Sequence, residues 1–241
     1  DLRIKGNGFS SSGDPKSGKE TLGGSFEPCI VYVGVGNDVN TCKWYELAGS
    51  EYYTDEIHDF SITYHKPVAE EGEHSQMFSL FDNYIKWEAS WTDKNGERRD
   101  STGYHMKILG HKQSFWPLWE EGETLTFKGG KLPNTAVNNG TETSQSWVLY
   151  RYAKDAYGYV DASRNTDDYS TFDIDWAVDE QGNHVDLEEI NFVKVVCGTF
   201  QYCGWLGETS TEVTGFQDLH LVEGYDENPI IITARTSTGL A

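Results

Sequence analysis

Residues 84–105 read YIKWEASWTDKNGERRDSTGYH, and this stretch sets the fold class. Asp93-Lys94-Asn95-Gly96 is a turn signal between two runs suited to pleated strands, so the stretch reads as strand, turn, strand. The same pattern continues outward in both directions. Upstream, IHDFSITYHKP (57–67) has Ile57, Phe60, Ile62 and Tyr64 as its apolar positions and stops at Pro67. CIVYVGV (29–35) is a continuous apolar run of strand length, GNDVNT after it is a turn, and KWYELAG is the next strand. DLRIKGNGF at the start alternates as a half-buried strand does. Downstream, TLTFKG (124–129), WVLYRYAKDAYGYVD (147–161) and INFVKVVCG (190–198) supply further strands.

Between them lie polar stretches that read as loops: SSSGDPKSGKETLGGS (10–25), VAEEGEHSQMFS (68–79) and PNTAVNNGTETSQS (133–146). No long amphipathic helix is present. Short strands separated by frequent turn signals predict an all-β, mostly antiparallel sandwich or barrel with short helical turns. With no internal repeat and no linker, residues 1–224 read as one β-sandwich domain and 225–241 as a C-terminal tail. Asp1 opens directly into a strand pattern, so further chain is expected upstream.

The chain has 241 residues, with 8 Trp, 14 Tyr and 11 Phe, ample for a large core and contrary to disorder. Its formal net charge of −20 repels phosphate backbones and anionic membrane surfaces, so nucleic acid is a poor partner. No apolar run is long enough to span a membrane. GxSxG, the P-loop, GxGxxG and HExxH are all missing from the sequence. The seven histidines are scattered and read as surface or core residues.

The acidic stretch FDIDWAVDEQGNHVDLEEINFVKVV (172–196) raises three readings. As a metal site, Asp173, Asp175 and Asp179 miss the EF-hand spacing, although Asp167 and Asp168 could join Asp173 and Asp175 in a different calcium site. As a glycosidase dyad, its carboxylates would have to flank a sugar, which spacing alone does not place. The favoured reading is structural. Asp173 or Asp175 caps a single helical turn, Trp176 and Val178 pack inward, residues 180–183 turn, and a strand follows at 190–196.

FWPLW (115–119) sets Trp116 and Trp119 around a proline, and Trp205 lies between glycines. Such rings either fill the core or stack on a flat ligand. Cys29, Cys42, Cys197 and Cys203 lack zinc spacing. In an exported protein they suit disulfides, with local pairs as one arrangement among three connectivities.

Three long stretches also carry a resemblance. EPCIVYVGVGNDVNTCKWYELAGSEYYTDEIHDFSITYHKP (27–67), FDIDWAVDEQGNHVDLEEINFVKVVCG (172–198) and WLGETSTEVTGFQDLHL (205–221) resemble, in matching order, segments of PKD-like cell-surface proteins of gut Bacteroidota. The resemblance implies export, display as an outer-surface lipoprotein, and a jelly-roll-like β-sandwich whose first strands precede Asp1. Asp100-Ser101-Thr102 fits the short O-glycosylation pattern of these bacteria. The resemblance also implies a place beside outer-membrane uptake systems, including those for vitamin B12, and hence capture of a corrinoid or glycan without catalysis. Cys29 stands where the family has glycine, and the loop at 36–42 is shorter than usual. The alternatives are an adhesive domain that binds a protein partner and, least supported, a glycoside hydrolase.

Overall fold

The computed structural model describes residues 1–10, 23–67, 84–106, 116–141, 143–152, 156–164, 170–204, 207 and 209–221. In chain order the strands are β1 (Leu2–Lys5), β2 (Phe9–Ser10), β3 (Gly23–Ser25), β4 (Cys29–Val35) and β5 (Lys43–Leu47). Next come β6 (Ile57–His65), β7 (Tyr84–Thr92), β8 (Arg98–Met106), β9 (Thr124–Lys131) and β10 (Ala136–Asn138). The last five are β11 (Trp147–Tyr150), β12 (Thr171–Phe172), β13 (Ala177–Val178), β14 (Phe192–Cys197) and β15 (Gly215–Asp218).

Among the described residues all strand pairs are antiparallel, and they form four small sheets: β12-β1-β15, β10-β11-β3-β2, β13-β5-β4-β14 and β8-β7-β6-β9. The all-β expectation holds. The finer expectation of a jelly-roll-like sandwich, whose strands would pack into two facing sheets, is not confirmed. Here four separate sheets take a four-blade, propeller-like arrangement. The expected 225–241 tail lies outside the described residues.

The hairpin at 84–106 forms as its sequence predicts. β7 and β8 run in register from Tyr84↔Met106 to Thr92↔Arg98. The Asp93 carboxylate accepts the backbone N–H groups of Asn95 and Glu97, and Gly96 takes the left-handed φ of +79° that closes the turn. Gly103 faces Trp87, whose ring lies so close that a Cβ there would stand 2.7 Å from Cζ2.

β4 is buried on both faces, which is why its sequence is an unbroken apolar run. Cys29, Val31 and Val33 pack with Leu2, Ile4, Leu47, Val160 and Phe172. Ile30, on the opposite face, meets Leu132 and Tyr159. A β-bulge in β6 explains a break in its alternation. Ile57 pairs with Lys131 and Phe60 with Gly129, so three steps on β6 match two on β9. Phe60 and Ile62 are then buried with Ala89.

The expected loop at 133–146 contains strand β10. Gln201 supplies what local sequence lacks there. Its side-chain amide donates to the Ala136 carbonyl and accepts the Ala136 N–H, at 2.7 and 3.0 Å, as a neighbouring strand would. The turn at 174–176 matches its expectation. Asp173 is the N-cap, accepting the Asp175 N–H at 3.0 Å, and Val178 is buried.

Candidate ligand-binding site

The bulge in β6 and the Gly129-Gly130 pair of β9 open a recess between two sheets. Its walls come from Tyr32 of β4, Lys194 and Val196 of β14, Phe60 of β6, Phe127 and Lys128 of β9, and Phe200 beyond β14. The cavity measures about 110 Å³. Phe200 packs against both Phe60 and Phe127, with ring centroids 5.6 and 6.3 Å apart. Phe200 has a φ of +51°, uncommon for a bulky residue, so its ring is held in the recess at a backbone cost of roughly 1–2 kcal/mol. Phe127 is 44% exposed and forms the outer lip.

Positive charge sits on this aromatic wall. The Lys194 ammonium lies over the Tyr32 and Trp44 rings, 4.5 and 4.6 Å from their centroids. Burial lowers its pKa, since desolvation penalises the charged form. Among the described residues no carboxylate pairs with Lys194 or with the exposed Lys128. Two unpaired lysines in one recess stand out in a chain of net charge −20.

Behind the recess lies a pair of buried carboxyls. Tyr32 lies beside Glu46 of β5 and the Gly130 backbone, and the Glu46 carboxyl lies in turn against that of Glu56. The Glu56 side chain is fully shut off from solvent. Neither of its oxygens accepts a hydrogen bond from an N–H or hydroxyl among the described residues. His58 Nδ1 stands 3.7 Å from Glu56 Oε1. Burial, then the charge of Glu46, pushes the Glu56 carboxyl up to about 10, and burial also raises Glu46. Burial thus favours the neutral form of Glu56, and Tyr32, which lines the recess, stands between the pair and the cavity.

The residues singled out from sequence are dispersed. Trp116 is 5% exposed and donates its indole N–H to the Glu120 carbonyl, so it fills space. Trp119 is 49% exposed beside Leu118, at 90%, away from the recess lining. Trp205, Asp167 and Asp168 lie outside the described residues. Asp173 caps its turn and Asp175 is exposed.

The carboxylates that the fold does bring together are Glu27, Asp161 and Glu212, whose oxygens lie within 4.8 Å of one another. These three could hold a cation. Two of them already hold backbone, however: Asp161 accepts the N–H groups of Asn7 and Glu212, and Glu27 that of Ser210.

None of the four cysteines is joined to another in a disulfide. Cys29 pairs in register with Cys197. Cys42 lies beside Gly34 and Gly36 at the other end of β4, and Cys203 is buried with Ala136 and Leu149. Cys29 and Cys42 are thus separated by the length of a strand, and the local pair entertained from sequence is not what the fold sets side by side.

The recess residues carry no motif, because they come from four strands and a loop. One signal did point toward them. The Gly-Gly doublet inside the strand pattern TLTFKGGK marks a bulge or a close backbone approach. No family model matches this sequence, and no curated protein matches it.

Proposed function

We propose that this chain is a non-catalytic binding module of the cell surface that captures a glycan, with one sugar unit seated in the aromatic recess. The observation that carries this reading is the conjunction of Phe60, Phe127 and Phe200 with two unpaired lysines in one cavity. A sugar ring offers an apolar face to stack on aromatics and hydroxyl or carboxylate oxygens for an ammonium to hold. The size of about 110 Å³ suits a single ring and falls below the roughly 300–1,000 Å³ of sites that enclose larger ligands, which weighs against a whole corrinoid here. The carboxyl pair supports binding over hydrolysis. Glycosidase carboxyls stand about 5–9.5 Å apart on either side of the sugar, whereas Glu46 and Glu56 are buried and neither lines the recess.

The test is calorimetric titration with neutral and uronic-acid oligosaccharides, cobalamin and cobinamide. Binding of an oligosaccharide that is lost in Phe127→Ala supports the reading. Binding of cobalamin with Phe127→Ala unaffected, or binding of nothing in the panel, removes it.

A second reading rests on a different observation. Leu118 and Trp119 project together from the FWPLW segment, exposed at 90% and 49%. An apolar tip of this kind suits an adhesive contact with a protein partner. A pull-down with a stable partner, abolished by Trp119→Ser and not by Phe127→Ala, would favour it.

A further inference from the structure

Cys29 and Cys197 are direct cross-strand partners at the end of the β4–β14 ladder. The hydrogen bonds around them show which kind of pair they form. The Cys29 N–H points away from β14 and donates to the Val160 carbonyl at 3.0 Å, while Gly198 N–H donates to the Pro28 carbonyl at 3.2 Å. The pair is therefore a non-hydrogen-bonded one, flanked by bonded positions. Cα atoms in such pairs approach to about 4.5 Å, inside the roughly 4.4–6.8 Å that a disulfide spans. Both side chains also face the same segment. Cys197 Sγ lies 3.5 Å from the Thr209 carbonyl, and the Cys29 thiol lies near Thr211.

The other pairings are set against by position. From Cys29 to the end of β4, where Cys42 lies, is six residues of extended chain, roughly 20 Å. Cys203 is fully buried in a separate cluster with Ala136 and Leu149.

We propose that Cys29 and Cys197 form a cross-strand disulfide when the folded protein meets a disulfide oxidant, either a small-molecule disulfide or an oxidoreductase carrying one. Cys197 is the more exposed thiol, so it reacts first. Its thiolate, having given its proton to water, attacks one sulfur of the oxidant and expels the other as a thiolate, leaving a mixed disulfide on Cys197. Cys29 then loses its proton and attacks Cys197 Sγ, expelling the second oxidant thiolate. Two protein thiols are oxidised by two electrons, one oxidant disulfide is reduced to two thiols, and the two protons end on those thiols. Burial raises the Cys29 thiol, which makes the second step the slow one.

The bond would tie residues from opposite ends of the domain and restrict the unfolded chain. It forms independently of any ligand in the recess.

The experiment is disulfide mapping of the native protein after incubation with oxidised glutathione and blocking of the remaining thiols. Cleavage before Asp38 and after Phe200 or Tyr202 separates all four cysteines. The expected result is a single linked peptide pair, Cys29 to Cys197, with Cys42 and Cys203 blocked as free thiols. The oxidised form should melt several degrees above the reduced one. Linkage of Cys197 to Cys203, of Cys29 to Cys42, a stable glutathione adduct on Cys197 with Cys29 free, or four free thiols would each overturn the proposal. No variant is needed, so misfolding of a substituted chain cannot obscure the answer.

Discussion

Glu56 lies against Glu46 with its side chain wholly enclosed, and the proton that burial keeps on Glu56 lets the two carboxyls occupy one site. An unfolded glutamate titrates at about 4.3, whereas Glu56 in the fold is pushed up to about 10. Between these values the folded state holds a proton that the unfolded chain has released. Stability therefore falls as pH rises through this window and is independent of this group below it. Glu56→Gln keeps the size, has no proton to lose and offers an N–H to Glu46. The variant is expected to be more stable than the parent at pH 8, by on the order of 2 kcal/mol. The gap should narrow as pH falls and close near pH 4. Thermal melts across pH check this, and a variant that melts lower at every pH refutes it.

Gly130 covers the same pair. A Cβ there would stand 2.4 Å from Glu56 Oε1 and 2.6 Å from Ile30 Cδ1. Gly130→Ala must displace both a buried carboxyl and a core methyl, and we expect a loss of about 1–3 kcal/mol in urea unfolding. Unchanged stability would mean that the carboxyl pair is not packed against the bulge.

Asp161 combines two demands. It has a φ of +59°, and its carboxylate accepts the backbone N–H groups of Asn7 and Glu212 at 3.0 and 3.3 Å. Asp161→Ala strips both amides of a partner and leaves an alanine in the left-handed region, at a cost of about 2–4 kcal/mol. Asp161→Asn keeps an acceptor oxygen and tolerates that backbone, so it should cost about 1 kcal/mol or less. Burial pushes Asp161 up to about 6, above its unfolded value near 3.9. Its contribution therefore declines as pH rises from about 4 to about 6, and the asparagine variant should compare best with the parent above that range. Chemical denaturation of both variants at two pH values separates these effects.

Lys194 and Lys128 divide the proposed contacts with a sugar. Lys194 is held over two aromatic rings, whereas Lys128 is exposed on β9. A pre-positioned ammonium contributes more than a mobile one. Lys194→Gln is expected to weaken oligosaccharide binding about tenfold or more, and Lys128→Gln by a smaller factor, in calorimetric titration. Equal and negligible effects would move the ligand out of the recess.

The strand content, the antiparallel hairpin at 84–106 and the Asp173 cap were legible in the sequence because each depends on residues close in the chain. Asp93 and Gly96 form their turn within five residues, and β4 announces its burial by an unbroken apolar run. Nothing local foretold β10, which pairs with β11 and whose other edge is met at Ala136 by the side chain of Gln201, 65 residues away. Nor did chemistry mark the recess, since aromatic residues and lysines read the same whether they fill a core or line a cavity. Sequence by itself determined the longer strands and their turns, through periodicity and turn stereochemistry, but not the short β3 and β10, which lie in stretches that read as loops. Tertiary structure alone decided that the strands divide into four sheets, that Cys29 faces Cys197, and that Phe60, Phe127, Phe200 and Lys194 share one wall. Those outcomes depend on strand pairing and register between distant segments, and a shift of one residue would turn every one of these side chains to the opposite face.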